Sequence, residues 1–257
     1  MRFALHRILF IFFSAALSLL LGVATAASIA IQNGPSHEVL IEGVITNDDP
    51  AKLFARIDEL FHRFPNDAFH FISINSPGGN VEAAIKMGAI LHADSRAYIT
   101  VATDQRCYSA CVLVVAGTMR RNLHGQIGIH RLYSDSVEPS SYEEIRANRQ
   151  AIAKAVRQFL SDVNISPTLY EAMDLIPANQ LKILTQREYE SFGLIETDPV
   201  LDELSSAAGA RNLGITREQY NERYSRVEQI CMKEPLVNDK TRTEQCIRDV
   251  MSGTRSN

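Results

Sequence analysis

Two patterns of apolar residues alternate along most of the chain. Short runs that are apolar throughout or at every second position lie at 38–45, 69–75, 97–102 and 126–130, and such runs are typical of strands. Between them, helical spacing of apolar residues predicts helices at 51–64, 81–91 and 142–160, with a short apolar helix at 109–116. Because strands and helices alternate, the pattern predicts an α/β fold of right-handed β-turn-α-β units.

Toward the C-terminus the sequence predicts helices alone. Thr216 and Gln219 match a capping box, in which each side chain bonds the backbone N–H of the other residue, and apolar residues follow at helical spacing. A second capping box begins at Thr185. The pattern therefore predicts an α/β domain over 27–201 and a helical appendage over 202–257.

Residues 1–26 have the pattern of a secretory signal peptide. A basic start is followed by an apolar run over 8–23 and by the small-x-small site Ala24-Thr25-Ala26, in the order typical of such peptides. The alternative is an uncleaved membrane anchor, but the apolar run is short for a span. We expect cleavage before Ala27 and a protein that is periplasmic or secreted. No later segment has the ~18 uninterrupted apolar residues of a span, so we expect no membrane span after cleavage.

Composition and charge exclude several classes of function. Of the 257 residues, 46% are hydrophobic, and the formal net charge is −4. This composition suits a packed core but not a nucleic-acid partner, since no basic stripe is present. The chain has no C-x-x-C, H-E-x-x-H, P-loop or G-x-G-x-x-G sequence, so metal and nucleotide sites lack their usual motifs. We expect neither a metal ion nor a cofactor.

The chain contains four cysteines, an even number that suits disulfides in an oxidising compartment. Cys231 and Cys246 lie on two predicted helices, and we expect a disulfide between them to clamp the appendage. Such a bond is worth about 3 kcal/mol in the chain-entropy model. Cys107 and Cys111 are four residues apart, too far for a disulfide within a regular helix. Two alternatives stay open: a bond from Cys107 ahead of the helix, or Cys111 as a small buried hydrophobe.

The sequence Ser76-Pro77-Gly78-Gly79 joins the end of a predicted strand to the start of a helix. Two glycines allow the backbone to approach a ligand closely and leave N–H groups free at a helix N-terminus, where they can stabilise a developing oxyanion. The alternative is a plain tight turn.

Ser109 stands at the head of a strongly apolar helix, and His130 ends the strand predicted at 126–130. A serine in that place is most often a helix cap, and a lone histidine is most often structural. A nucleophilic serine needs a base within hydrogen-bond reach. A base at a strand end beside a nucleophile at a helix start would meet that need.

These features, in this order, resemble the Clp protease proteolytic subunit (ClpP) family, its kin signal-peptide peptidase A and the wider crotonase superfamily. The matching pieces are the run 72–79, Ser109, Gly128-Ile129-His130 and the segment 184–194, which is similar to L-[ST]-x-x-E-A-x-x-x-G-L. The sequence Ser109-Ala110-Cys111 is closer still to a group of predicted periplasmic Clp-protease-like proteins. The resemblance covers about residues 38–196.

The resemblance implies a ClpP/crotonase-like spiral of ββα units, here with a C-terminal helical appendage. It implies that Ser109 is the nucleophile, that His130 is the general base, and that the backbone N–H groups of Gly79 and Ala110 form the oxyanion hole. It also implies a peptide or protein substrate and assembly into a homo-oligomer, as trimers or rings.

The sequence departs from the family at the third catalytic residue. The family's triad Asp corresponds to Leu181, and the nearby polar candidates are Asn179 and Asp174. The third group of a triad orients the imidazole and stabilises its charged form. Asn179 would only orient, whereas Asp174 would do both. The sequence therefore predicts an exported serine peptidase or, as the alternative, a catalytically silent binding or assembly protein of the same fold; an acyl-CoA enzyme of the crotonase type is the weaker third hypothesis.

Overall fold

The computed structural model describes residues 25–32, 37–65, 67, 69–133, 141–233 and 240–254. The predicted signal peptide falls outside the described residues, except for Thr25 and Ala26. The strands are β1 (Ser28–Gln32), β2 (Glu38–Glu42), β3 (His70–Asn75), β4 (Ala97–Val101), β5 (Arg106–Tyr108), β6 (Arg120–Leu123), β7 (Gln126–Ile129) and β8 (Lys182–Ile183). The helices are α1 (Asp49–Arg63), α2 (Val81–Ala93), α3 (Cys111–Gly117), α4 (Tyr142–Asp162), α5 (Thr168–Leu175), α6 (Gln186–Ser191), α7 (Pro199–Leu213), α8 (Arg217–Ile230) and α9 (Lys240–Ser252).

These elements form a mixed α/β fold with two sheets. The larger sheet has the order β1-β2-β3-β4-β6, in which β1 is antiparallel to β2 and the other pairs are parallel. The smaller sheet has the order β5-β7-β8, with β8 antiparallel to β7. The α/β prediction is confirmed, whereas the spiral arrangement of ββα units stays a prediction.

Several strand predictions need correction. The strand expected over 38–45 ends at Glu42, because Gly43 has a φ of +106° and turns the chain out of the ladder. Strands β1, β5, β6 and β8 were missed. The last three have at most four residues and no clear apolar period, whereas the alternating Ile29 and Ile31 of β1 could have indicated a strand.

One face of the larger sheet packs against helices and forms the main core. Ile72, Ile74 and Ile99 on this face are fully buried, as are all seven residues of α3. Helices α2 and α3 pack so closely that a Cβ atom on Gly117 would overlap the backbone of Gly88. This close packing holds α3, and therefore the turn before it, against the sheet.

Arg121 on β6 is a buried charged residue whose side chain bonds to the C-terminal end of α3. Only 2% of its surface is exposed, and its guanidinium donates to the carbonyls of Val115 (3.0 Å), Ala116 (2.9 Å) and Ile195 (3.1 Å). Burial lowers the pKa of Arg121 to about 10. Carbonyls in the last turn of a helix lack intrahelical donors. The Arg121 side chain supplies hydrogen-bond donors to two such carbonyls of α3.

The C-terminal helices have a small apolar cluster of their own. Four residues, Val227, Cys231, Cys246 and Val250, are buried together and do not belong to the main core.

Both predicted capping boxes, Thr185 with Glu188 and Thr216 with Gln219, are confirmed. Helix α7 already begins at Pro199, and the division into 27–201 and 202–257 stays a prediction. None of the helices in the described ranges combines the length and apolar character that a membrane crossing requires.

Candidate active site

Ser109 occupies a sharp turn between β5 and α3. Its φ is +56°, in the left-handed region that costs a non-glycine residue energy and often marks a functional site. Its backbone N–H donates to the carbonyl of Gly128 at 2.9 Å, which ties the turn to β7. The helix cap is Ala110, and no side chain caps this helix. The capping alternative for Ser109 is therefore wrong, and a strand–turn–helix of this kind is one that presents a nucleophile.

The Gly78-Gly79 turn lies directly against Ser109. The two glycines have φ values of +98° and +142°. A Cβ atom on Gly78 would lie 2.7 Å from the Cβ of Ser109 and 3.1 Å from the backbone nitrogen of Ala110, and one on Gly79 would overlap the backbone of Ile45. Only glycine fits at either position.

The backbone N–H groups of Gly79 and Ala110, near Ser109, have no acceptor among the described residues. The turn uses its other groups: Gly78 N–H donates to Ser76 Oγ at 3.1 Å, and Gly78 carbonyl accepts from Ile45 at 2.8 Å. No hydrogen bond joins the N–H of Gly79 or of Ala110 to any other described residue. Two unpaired donors next to one hydroxyl can stabilise a negatively charged oxygen, which a plain tight turn would not offer.

His130 faces the same cavity as Ser109. The cavity has a volume of about 260 Å³, and its lining consists of Val44, Pro77, Gly78, Gly79, Val81, Ser109, His130, Leu132 and Tyr133. His130 is half-buried and its Nδ1 lies 2.9 Å from the carbonyl oxygen of Arg131. The structure brings the two side chains to one cavity without a hydrogen bond between them, so their pairing stays a prediction.

Neither candidate for the third catalytic group is bonded to His130 within the described part of the chain. The carboxylate of Asp174 pairs with Arg149 at 3.1 Å and with Arg131 at 3.2 Å. Asn179 is exposed. The role predicted for Asp174 or Asn179 thus stays a prediction that no hydrogen bond supports.

Leu181 nevertheless lies where a third catalytic group would be expected. The antiparallel pairing of Gly128 with Ile183 and of Ile129 with Lys182, continued by one residue, sets Leu181 opposite His130. Leu181 Cδ1 also lies 2.9 Å from where a Cβ of Gly128 would be. The register thus sets position 181 across the ladder from His130, but the side chain there is apolar and packs against Gly128.

Both cysteine pairs form disulfides. Cys107 and Cys111 are joined with Cα atoms 5.3 Å apart, which is possible because Cys107 lies on β5 rather than in α3. Both are fully buried, so this bond closes a small ring around Ser109. Cys231 and Cys246 are joined as well, with Cα atoms 5.7 Å apart.

Residues that the sequence did not single out also line the site. A groove of about 600 Å³ continues from the cavity, and its lining consists of Val44, Ile45, Thr46, Asn47, Gly79, Asn80, Val81, Glu82, Ile85, Tyr133, Ala151, Ile152 and Ala155. Helix α4 therefore contributes to it from far along the chain. Arg131 was also missed, although its place directly after His130 could have drawn attention to it. No metal-binding group of three or more His, Cys, Asp or Glu occurs among the residues described.

Comparison with known proteins finds distant structural neighbours. No protein-family model matches the chain, and no curated protein matches it by sequence. Among solved structures, the chain is similar to a point mutant of the 1510-N membrane-bound stomatin-specific protease, with 19% sequence identity and a TM-score of 0.46. The likeness covers 61% of this chain and 75% of the other. A likeness of this size assigns no function.

Proposed function

We propose that this chain is an exported serine hydrolase that cleaves a peptide or protein, with Ser109 as nucleophile and His130 as general base. The observation that carries this proposal is the strained Ser109, which shares a cavity with an imidazole and adjoins Gly79 and Ala110, whose backbone N–H groups have no acceptor among the described residues. An ordinary turn has no need of this combination, whereas acyl transfer needs every part of it.

The proposed reaction has two halves. Ser109 Oγ attacks the substrate carbonyl while His130 Nε2 accepts the hydroxyl proton, and the N–H groups of Gly79 and Ala110 stabilise the resulting oxyanion. His130 then gives the proton to the leaving amine, the C–N bond breaks, and an acyl-serine remains. A water molecule then attacks this ester and gives its proton to His130. The ester C–O bond breaks, His130 returns the proton to Ser109 Oγ, and the acid product leaves.

The groove beside the cavity supports a substrate with apolar side chains. Val81, Ile85 and Ile152 make its lining mainly apolar, and it adjoins the Gly79 turn. A peptide bound with its scissile carbonyl between Gly79 and Ala110 would place a neighbouring side chain in this groove. Burial of that side chain would supply binding energy of ~25 cal/mol per Å² of apolar surface.

Export and assembly belong to the same proposal. Two disulfides favour an oxidising compartment, in agreement with the predicted signal peptide over 1–26. The ClpP/crotonase-like spiral and the homo-oligomer rest on the resemblance of the sequence. Light scattering of the purified protein tests the oligomer, which a monomeric mass would rule out.

The proposed function is tested by labelling the purified exported protein with a fluorophosphonate probe. We expect labelling of the wild type and none of Ser109→Ala or His130→Ala, because nucleophile and base act as a unit. Ser95→Ala is the matched control, since Ser95 is exposed and distant in the fold, and it should label normally. Labelling that persists in Ser109→Ala would refute the assignment.

The second candidate function is a catalytically silent binding or assembly protein of the same fold. The observation that favours it is Leu181, an apolar residue beside His130 where an acid would serve catalysis. Under this alternative the wild type also fails to label, although it folds.

A further inference from the structure

The imidazole of His130 is oriented by a backbone carbonyl rather than by a carboxylate. Its Nδ1 lies 2.9 Å from the carbonyl oxygen of Arg131. A carbonyl oxygen can only accept a hydrogen bond, so Nδ1 must carry the proton. The unprotonated ring nitrogen is then Nε2, which is the nitrogen that a general base uses.

Arg131 is held at both its backbone and its side chain. Its N–H donates to the carbonyl of Ile176 at 2.8 Å. Its guanidinium donates to the carbonyl of Asp174 through Nε at 3.0 Å and through Nη2 at 2.7 Å, and Nε lies 3.2 Å from Asp174 Oδ1. The end of α5 thus holds Arg131 by three groups.

Asp174 is itself fixed from the other side. Its two carboxylate oxygens accept from Arg149 on α4 at 3.1 and 3.2 Å. The carboxylate therefore lies between two guanidinium groups and acts on Arg131, not on the imidazole. Since Arg131 follows His130 directly, fixing Arg131 also fixes the carbonyl that meets the ring.

We propose that Arg131 is the positioning residue of this site: its main-chain carbonyl orients His130, and Asp174 acts only by anchoring Arg131. The expected loss of kcat rests on the proposed hydrolase function, whereas the expected tautomer of His130 does not. A neutral carbonyl selects the tautomer and stabilises the charged imidazolium less than a carboxylate would. His130 is therefore oriented as a base, but its charged form is stabilised less than in a triad. We expect hydrolysis at this site to be slow for that reason.

The tautomer is tested by nitrogen NMR of histidine-labelled Ser109→Ala protein, in which the ring is studied without turnover. We expect neutral His130 to carry its proton on Nδ1. A ring protonated on Nε2 overturns the proposal. If the wild type does not react with the fluorophosphonate probe while the Nδ1 tautomer is present, the hydrolase function fails and the positioning of His130 stands.

The anchor is tested by Arg131→Ala and Asp174→Asn in the otherwise intact chain. Misplacement of a catalytic group by about 1 Å can cost ~100-fold in rate, so we expect kcat of Arg131→Ala to fall by about 10–100-fold with little change in KM. Asp174→Asn should lower kcat by a smaller factor, because the main-chain carbonyl of Asp174 still accepts from Arg131. His130 should show both tautomers in the same variants, and Arg131→Lys should restore part of the rate. Asp174→Asn keeps the shape of the side chain, so it remains informative if Arg131→Ala does not fold.

Arg157→Ala is the matched control for these variants. Arg157 and Glu171 form the other arginine–carboxylate pair between α4 and α5, at 2.8 Å, and Arg157 has no contact with Arg131. We expect kcat and the tautomer to stay as in the wild type. If folded Arg131→Ala and Asp174→Asn behave like this control, the proposal is overturned.

Discussion

Gly78 and Ser109 are packed so closely that a Cβ atom on Gly78 would lie 2.7 Å from the Cβ of Ser109. Both residues have positive φ values, +98° and +56°. Two turns of unusual backbone conformation thus meet at the candidate site, and neither can change without displacing the other. Glycine adopts a positive φ at little cost, whereas Ser109 is strained by about 1–3 kcal/mol, and such strain persists only when the surrounding structure imposes it.

Gly79→Ala should abolish labelling by a fluorophosphonate probe. The new methyl group would overlap the backbone of Ile45 at a φ of +142°, and the shift needed to relieve the overlap would move the Gly79 N–H. We expect a loss of stability of about 3 kcal/mol or more, measured by urea unfolding. Gly214→Ala is the control, because Gly214 also has a positive φ, +64°, but nothing lies within 4 Å of the new methyl. Undiminished labelling of folded Gly79→Ala would contradict the oxyanion-hole assignment.

Leu181→Asp should accelerate the reaction. A carboxylate opposite His130 would stabilise the imidazolium formed during attack, and we expect the labelling rate to rise at least about tenfold. Leu181→Asn, which lacks the charge, should label at about the wild-type rate. Equal labelling rates for the two variants would show that position 181 does not reach His130.

Loss of the Cys107–Cys111 disulfide should affect the site itself. The bond closes a small ring around Ser109, and its removal should cost about 2 kcal/mol in the chain-entropy model. We expect Cys107→Ala/Cys111→Ala to unfold at lower urea concentration and to label more slowly. Cys231→Ala/Cys246→Ala is the matched control, since this pair lies in the separate cluster of the C-terminal helices, and its labelling rate should not change. Equal labelling rates for both double variants would refute a role of the first disulfide at Ser109.

Arg121→Ala should be among the most destabilising single changes outside the site. It removes a buried donor from the carbonyls of Val115 and Ala116 and a part-buried one from the carbonyl of Ile195. Val115 keeps the N–H of Thr118 at 3.2 Å, but an unpaired buried group costs about 1–3 kcal/mol and the charged side chain fills the core. We expect a loss of about 3 kcal/mol or more in the free energy of unfolding. Arg217→Ala, which breaks an exposed pair with Glu203 at 3.7 Å, should cost less than about 1 kcal/mol. Similar losses for both variants would contradict the structural role of Arg121.

Protein recovered after export should begin at Ala27. Ala27 N–H donates to the carbonyl of Val44 at 2.8 Å, and the amine left by cleavage can make the same bond. The intact mass of the exported chain measures this terminus directly. A soluble exported form that retains Met1 would contradict cleavage.

The features of this protein that rest on local chemistry could be predicted from the order of its residues. The alternation of apolar periods predicted the α/β fold and the main helices, because each period reflects the face that one element buries. The capping boxes at Thr185 and Thr216 were also readable, since a capping box involves residues only three positions apart. The Gly78-Gly79 turn stood out because only glycine tolerates such a backbone.

Contacts between distant segments could not be predicted in this way, because they depend on how the chain packs. The positive φ of Ser109, the burial of Arg121 and the bond from His130 to the carbonyl of Arg131 have no signature in the order of residues. Strand β8 is only two residues long, and its pairing with β7 alone brings Leu181 beside His130. Each of these features is a contact between segments that packing brings together, and the free energy of such a contact depends on the whole fold rather than on the neighbouring sequence.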